Sequence, residues 1–273
     1  KGRAAILSKI EKPNAVKMFD EILAVSDGIM VARGDLGVEL PVQNVPPIQK
    51  QLVRKCRAAA KPVIVATQML ESMIDSPMPT RAEVSDVATA IYEGADAIML
   101  SAESAAGSFP IEAVTTMNNV AMEVESDPTY TEIIEASRKA VRTTVADGIV
   151  AAAREIAETA DVKAICCFSQ SGTTALLVAR ERPRVPIIAL TSYRSTARRL
   201  CLTWGTNCVV TGPVDRFKTA VIAAVRASLK QGLATEKDMI VVTAGVPFNT
   251  PGSTNILRVA PCAEKLIYAA DPE

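Results

Sequence analysis

Polar side chains follow each of four short apolar runs in the first part of this chain. The four polar segments are Ser8-Lys9-Ile10-Glu11, Ala32-Arg33-Gly34-Asp35, Thr67-Gln68 and Ser101-Ala102-Glu103. Ammonium, carboxylate and hydroxyl groups of this kind can stabilise negative charge or move a proton. The chain contains no histidine, so any acid or base in it must be a lysine, a carboxylate, a hydroxyl or a water molecule.

Spacing within these segments brings several groups to one place. Lys9 and Glu11 are two residues apart, and because strand side chains alternate between faces, both can reach one site while Ile10 packs on the other side. Gly34 and Asp35 are expected to begin a short helical turn. Its free backbone N–H groups can hold a carboxylate, and glycine lets a ligand approach closely.

The apolar runs and the stretches between them are the elements that must position these groups. The runs are residues 4–7, 28–31, 62–66 and 97–100, and helical stretches separate them, ending with a helix over residues 110–125. Alternating strands and helices in units of about thirty residues predict parallel βα architecture. Both a βα barrel and a doubly wound sheet bind ligands at the carboxyl ends of their strands, so this pattern alone leaves the two folds open.

The pattern changes near residues 126–130, which predicts a domain boundary there. Helices are expected over residues 132–142 and 147–159, followed by five short apolar runs at residues 164–168, 186–190, 208–210, 239–242 and 256–259. We interpret residues 126–273 as a second α/β domain with about five strands. Between its first strand and the next helix lies a loop rich in hydroxyls, residues 169–174, which is typical of an anion-binding nest.

Composition points to a small-molecule partner. The chain of 273 residues has 30 basic and 30 acidic residues, so no net charge favours nucleic acid or an anionic membrane. Its six cysteines include no C-x-x-C pair, which argues against a zinc site and favours a reducing, cytoplasmic compartment. Because the chain begins at Lys1 and a strand follows almost at once, we expect a piece of a longer protein.

Several longer segments resemble the pyruvate kinase family. They are residues 8–11, 27–37, 66–73, 79–83, 95–103, 169–174 and 255–259, in the order found in that family. The resemblance implies the second half of a TIM (β/α)8 barrel in residues 1–125. It implies a smaller C-terminal α/β regulatory domain with a mostly parallel five-stranded sheet in residues 126–273. The rest of the barrel and a lid domain would lie outside this chain.

The resemblance also implies a transfer of the phosphoryl group from phosphoenolpyruvate to ADP, giving pyruvate and ATP, and assigns roles to residues. Lys9 and Thr67 would be catalytic, with Gly34 and Asp35 joining them in binding substrate. Glu11 and Asp35 would bind Mg²⁺ or Mn²⁺. Ser101 and Glu103 would join a proton relay through water. This chain alone is expected to be inactive.

Further implications concern the intact enzyme, which would be a cytoplasmic homotetramer of glycolysis. It would need K⁺, bound outside this chain. A sugar-phosphate or nucleotide effector would bind at Ser169, Ser171, Gly172, Thr173 and Thr174. We expect a sugar monophosphate rather than fructose 1,6-bisphosphate, because the segment 213–229 contains no tryptophan and no clearly placed arginine for a second phosphate.

Two other functions are compatible with parts of the pattern. A Mg²⁺-dependent lyase or aldolase acting on pyruvate or phosphoenolpyruvate would also use carboxylates at strand ends of a barrel. A non-catalytic module that senses a sugar phosphate would use only the second domain.

Overall fold

A computed structural model describes residues 4–138, 144–248, 250 and 253–268. Contacts within the chain divide it into two units, Lys1–Lys139 and Ala140–Glu273. The first unit therefore extends past residue 125, where the sequence pattern placed the boundary.

The described part of the first unit contains a four-stranded sheet in which all neighbours run parallel and follow chain order. Its strands are β1 (Leu7–Ile10), β2 (Gly28–Ala32), β3 (Val63–Ala66) and β4 (Ala97–Met99). This order of strands, each followed by helical segments, is that of half a (β/α)8 barrel.

The first strand starts later than its apolar run suggested. We expected residues 4–7, but β1 begins at Leu7, which pairs with Gly28, the first residue of β2. Before that point Ile6 is 61% exposed. The register with β2 thus decides where β1 begins, and Lys9 lies within the strand.

Helices cover the four strands. They are α1 (Pro13–Lys17), α2 (Phe19–Val25), α3 (Arg33–Glu39), α4 (Val45–Ala58), α5 (Arg81–Tyr92), α6 (Ala102–Ala105), α7 (Pro110–Ser126) and α8 (Pro128–Ala136). A short 3-10 turn at Val42–Asn44 lies between α3 and α4, and another at Glu71–Ile74 lies between β3 and α5. Strand residues such as Ile29, Val31 and Val65 are fully buried beneath the helices.

Helix α8 explains the late boundary. It was expected at residues 132–142, but it begins at Pro128, where the Asp127 carboxylate accepts the Thr129 N–H at 2.9 Å and caps the helix. Residues 139–142 of the expected helix lie outside the described residues. Tyr130 and Ile134 of α8 are buried in the core of the first unit, so residues 126–138 belong to it.

The second unit contains, in its described residues, the predicted five-stranded sheet in the order β7-β6-β5-β8-β9. Its strands are β5 (Val162–Phe168), β6 (Ile187–Thr191), β7 (Thr206–Val210), β8 (Met239–Gly245) and β9 (Thr254–Pro261). All pairs are parallel except β8 with β9. The prediction of a mostly parallel sheet is confirmed.

Both faces of this sheet are covered. The helices are α9 (Val145–Thr159), α10 (Thr173–Glu181), α11 (Arg194–Leu200), α12 (Phe217–Lys230) and α13 (Glu264–Tyr268). Residues of α12 and α13 share one buried cluster with the sheet, and residues of α9 and α10 share the other. Among the described helices, none combines the length and the hydropathy that a bilayer-spanning helix requires.

Candidate active site

The carboxyl ends of β1 and β2 bring one ammonium and two carboxylates together. Lys9 Nζ lies 2.5 Å from Glu11 Oε2 and 2.9 Å from Asp35 Oδ2. Lys9 lies in β1 and Glu11 directly follows it, and their side chains lie on one side, as their spacing predicted. Asp35 reaches them from the first turn of α3, directly after β2. The expected helical turn at Gly34 and Asp35 is therefore confirmed.

Charge pairing governs this cluster. Hydrogen bonds to Glu11 and Asp35 raise the pKa of Lys9 above its usual range, so the lysine stays cationic. The hydrogen bond from Lys9, with its charge, lowers the pKa of Asp35. The side chains of Lys9 and Asp35 are about half exposed, so a ligand can reach them.

The two carboxylates form a donor set that suits a hard divalent cation. Glu11 and Asp35 both contact the Lys9 ammonium, so their oxygens already flank one cation. Among the described residues, no group of three or more His, Cys, Asp or Glu side chains converges. Mg²⁺ typically takes one or two protein carboxylates and completes its shell with substrate and water, so this pair fits it.

Beside the cluster, the ends of β2 and β3 are joined through Thr67. The Gly34 N–H donates to Thr67 Oγ1 at 2.7 Å, and that hydroxyl donates to the Ala66 carbonyl at 2.6 Å. Thr67 and Gln68 have φ angles of 71° and 51°, which are unusual outside glycine. Such conformations cost about 1–3 kcal/mol each and persist only where the surroundings hold them.

Arg33 is the residue that holds them, and the sequence pattern alone did not identify it. Its guanidinium donates to the carbonyls of Thr67 at 2.7 Å and Gln68 at 3.3 Å, and pairs with Asp86 Oδ1 at 2.6 Å. The side chain is only 9% exposed. An arginine directly after a buried strand needs buried hydrogen-bond partners, and this feature of the sequence could have identified Arg33.

Glu103 and Ser101 lie at the end of β4. Glu103 is buried, and its two oxygens accept the N–H groups of Ser101 at 2.7 Å and Leu70 at 3.2 Å. Glu103 thus connects β4 to the segment that follows β3. The proton relay through these residues stays a prediction.

In the second unit, the hydroxyl-rich loop borders a cavity of about 340 Å³. Ser169, Ser171 and Thr174 line the cavity, whereas Gly172 and Thr173 are not among its lining residues. The Gly172 N–H donates to Ser169 Oγ at 3.0 Å, and Gly172 has a φ of 91°. The five residues predicted to bind an effector therefore lie together in this loop, and three of them line the cavity.

Sequence profiles of two domains match the two units. The profile of the pyruvate kinase barrel domain covers residues 1–114, and that of the pyruvate kinase alpha/beta domain covers residues 147–260. The chain belongs to the pyruvate kinase family. The first profile is that of a barrel domain. The first unit is therefore part of a barrel rather than a doubly wound sheet, the alternative that the strand pattern left open.

Individual pyruvate kinases agree with this assignment. The chain is 52% identical over 259 residues to a pyruvate kinase of Methylorubrum extorquens, covering 95% of this chain and 54% of that protein. It is 47% identical to one of Geobacillus stearothermophilus, covering 93% of this chain and 43% of that protein. A crystal structure of a pyruvate kinase from Cryptosporidium parvum matches with a TM-score of 0.86 at 37% identity, covering 94% of this chain and 51% of that one.

The chain therefore spans about half the length of the pyruvate kinases it matches. These comparisons do not favour the lyase, the aldolase or the purely non-catalytic module. The structure brings Lys9, Glu11 and Asp35 into contact and sets Gly34 against Thr67. Their individual roles remain predictions.

Proposed function

We propose that this chain supplies half of the catalytic barrel of an enzyme that transfers a phosphoryl group from phosphoenolpyruvate to ADP. The observation that carries the proposal is the convergence of Lys9, Glu11 and Asp35 beside the Gly34–Thr67 contact, at the carboxyl ends of parallel strands. The nucleotide site, the lid and the K⁺ site would lie in the part of the enzyme outside this chain.

In this reaction the bond between phosphorus and the enol oxygen breaks, and a bond forms to the terminal oxygen of ADP. Such transfers need positioning and stabilisation of negative charge more than covalent help from the protein. Lys9 supplies a fixed positive charge for the phosphoryl oxygens and the enolate, because its ammonium is held by two carboxylates rather than left to move.

Glu11 and Asp35 would hold Mg²⁺ or Mn²⁺. When bound, the metal supplies Lewis-acid stabilisation of the substrate oxygens. The same carboxylates orient Lys9, so one pair of side chains positions both positive charges of the site.

Gly34 and Thr67 would act on the substrate carboxylate and on protonation. The Gly34 N–H is taken by the Thr67 hydroxyl in this structure. A substrate carboxylate that accepts the Gly34 N–H would displace that hydroxyl and free it to face the carbon to be protonated. The enolate then gains a proton at that carbon to become pyruvate, with Ser101 and Glu103 as proposed members of the relay.

A chimaera tests the catalytic proposal. The upstream half of the Methylorubrum extorquens relative, joined to this chain at Lys1, should form pyruvate and ATP from phosphoenolpyruvate and ADP. The same chimaera carrying Lys9→Ala is the matched control. A chimaera that folds but transfers no phosphoryl group above the level of that control would refute the proposal.

The cavity in the second unit supports a second function, the binding of a sugar monophosphate effector. Hydroxyls of Ser169, Ser171, Thr174, Thr191 and Thr254 line it, and none of its lining residues in the described part of the chain carries a charge. Backbone amides and hydroxyls of the loop can bind one phosphate. A second phosphate would find no charged side chain among these lining residues. It would therefore lack charge-assisted hydrogen bonds, which are worth about 1.5–3 kcal/mol each.

Titration of the active chimaera tests this function. The titration should compare ribose 5-phosphate, glucose 6-phosphate, AMP and fructose 1,6-bisphosphate. We expect a monophosphate to change the activity at a lower concentration than the bisphosphate. The variant Ser171→Asp should abolish it by repelling the phosphate. Activation by the bisphosphate at much lower concentration, or an unchanged response in Ser171→Asp, contradicts the assignment.

From the same family resemblance we infer that the intact enzyme is a K⁺-dependent homotetramer of glycolysis in the cytoplasm. Sedimentation of the chimaera tests the assembly, and activity measured with and without K⁺ tests the cation.

A further inference from the structure

Three consecutive carbonyls at the end of β3 converge on the guanidinium of Arg33. Its Nε donates to the Ala66 carbonyl at 3.4 Å. Its Nη2 donates to the carbonyls of Thr67 at 2.7 Å and Gln68 at 3.3 Å. Successive residues of an extended strand face opposite ways, so three such carbonyls would not meet one group there. The left-handed φ angles of Thr67 and Gln68, 71° and 51°, accompany this convergence.

Asp86, in helix α5, holds the guanidinium from its other end. Asp86 Oδ1 lies 2.6 Å from Arg33 Nη1, whereas the Gln49 side chain offers that nitrogen only a 3.4 Å contact. The Arg33 side chain is 9% exposed and that of Asp86 is 38% exposed. A buried guanidinium is strongly disfavoured without a carboxylate, because its charge is then unpaired and poorly solvated. Asp86 therefore fixes where the guanidinium lies.

The Thr67 hydroxyl lies where this network puts its backbone. The hydroxyl accepts the Gly34 N–H at 2.7 Å and donates to the Ala66 carbonyl at 2.6 Å. Threonine is β-branched and disfavours φ angles above zero, so this conformation persists only while its surroundings hold it. If the carbonyls of residues 67 and 68 were released, the backbone would relax and carry the hydroxyl away from the Gly34 N–H.

We infer that Arg33 and Asp86 are positioning residues that place the Thr67 hydroxyl for protonation of the enolate carbon. Neither residue needs to touch the reacting atoms, because Arg33 acts through the backbone of Thr67 and Asp86 acts through Arg33. The inference rests on the proposed transfer from phosphoenolpyruvate. The ion pairs of Lys9 use none of these atoms, so the Arg33–Asp86 pair should act on protonation more than on phosphoryl transfer.

The step that depends on this placement moves one proton. The enolate carbon takes a proton from the Thr67 hydroxyl as the C–H bond forms, and the Thr67 oxygen regains one from water through the relay. In the reverse direction pyruvate loses a methyl proton along the same path. Exchange of the methyl hydrogens of pyruvate with D2O therefore reports this step apart from phosphoryl transfer.

Exchange measured with the active chimaera tests the role. With Mg²⁺ and ATP in D2O, Asp86→Asn should slow deuterium uptake by pyruvate about 10- to 100-fold, the effect of misplacing a reacting group by roughly 1 Å. The KM for phosphoenolpyruvate should stay within about twofold, because neither residue binds the substrate. Arg33→Lys should be equally slow, since one ammonium cannot serve three carbonyls and a carboxylate.

Two further variants separate the effect of this charge from general damage. Asp86→Glu keeps the carboxylate and should exchange at a rate closer to wild type than Asp86→Asn does. Asp20→Asn is the matched control, because it removes a carboxylate paired with Lys55 on the outer helices, and it should exchange as the wild type does. Wild-type exchange in Asp86→Asn, or equal losses in Asp86→Asn and Asp20→Asn, would refute the inference. A wild-type chimaera without phosphoryl transfer refutes the proposed function instead.

Crystal structures of the wild-type chimaera and of Asp86→Asn test the placement itself, and they need no activity. In Asp86→Asn the Arg33 guanidinium should leave the carbonyls of Thr67 and Gln68, and the φ of Thr67 should leave the left-handed region. An unchanged Thr67 in this variant would overturn the inference. So would failure of Asp86→Asn to fold while Asp20→Asn folds, because the pair would then support the fold as a whole.

Discussion

At the residue scale, the site depends on how Lys9 is held. An unrestrained lysine is a mobile point charge, whereas the ammonium of Lys9 lies between Glu11 and Asp35 at 2.5 and 2.9 Å. Preorganised charge is effective because no reorganisation is needed as the substrate reacts. The side chain is also accessible, which a purely structural ion pair does not require.

Lys9→Ala should lower kcat of the active chimaera by about 10²–10³-fold, the usual effect of losing a preorganised charge-stabilising donor. Steady-state kinetics with phosphoenolpyruvate measure it. Lys55→Ala is the matched control, because Lys55 pairs with Asp20 at 2.7 Å on the outer helices. A loss of less than threefold in Lys9→Ala would show that Lys9 is not the stabiliser.

Asp35→Asn should raise the Mg²⁺ concentration needed for half-maximal activity, because it removes one of the two carboxylates proposed to bind the metal. A metal titration of the chimaera measures the shift. Asp20→Asn serves as control, since Asp20 pairs with Lys55 on the outer helices. Identical metal titrations for Asp35→Asn and wild type would remove Asp35 from the metal site.

At the element scale, Glu83 ties the segment after β3 to helix α5. Its carboxylate accepts from the Ser72 N–H at 2.7 Å and the Thr80 N–H at 2.8 Å, while the Thr80 side chain caps the helix in return. Burial alone would raise the pKa of Glu83, but hydrogen bonds from Ser72 and Thr80 outweigh it and lower the pKa.

Glu83→Gln should lower the free energy of unfolding of the first unit by about 1 kcal/mol at pH 7, since an amide cannot accept all of these bonds. Because the folded pKa is lowered, the wild-type advantage is complete above the unfolded value of 4.5 and is lost as pH falls through the folded pKa. Denaturation of the chimaera, wild type and Glu83→Gln, at pH 7 and below pH 4 measures this difference.

The exposed Glu71 offers a matched control for that experiment, as Glu71→Gln changes the same group in the turn Glu71–Ile74. It should leave stability nearly unchanged. The difference in the free energy of unfolding between Glu83→Gln and wild type should shrink at low pH. A difference that stays constant from pH 7 to pH 3 would mean that the charge of Glu83 does not cause the stabilisation.

At the scale of the whole molecule, the first unit presents two open sheet edges. Within the described residues β1 pairs with β2 alone and β4 with β3 alone. Leu7 of β1 is 38% exposed. Unpaired edges invite association with other chains, and half a barrel leaves the site open on one side.

The chain of 273 residues by itself should therefore form no ATP from phosphoenolpyruvate and ADP, and it should associate through its open edges. A coupled turnover assay and light scattering of the purified chain measure both. Measurable turnover free of contaminating enzyme would contradict the first expectation, and a monodisperse monomer that unfolds cooperatively would contradict the second.

The sequence by itself determined the order of strands and helices, the polar segments after the strands, and the shared face of Lys9 and Glu11. These follow from local periodicity. Hydrophobic periodicity distinguishes strands from helices, and side chains two residues apart along a strand point to the same side. The hydroxyl-rich loop between β5 and α10 was predicted in the same way. The start of β1 was misplaced, since pairing with Gly28 rather than hydropathy decides it.

Only the tertiary structure decided which groups from different segments meet. Asp35 reaches Lys9 because β1 and β2 are parallel neighbours in a particular register. Arg33 holds Thr67 and pairs with Asp86 through contacts that no local period encodes. Distances between strand ends, and between a helix and a strand, depend on how whole elements pack, and packing is a property of the folded chain.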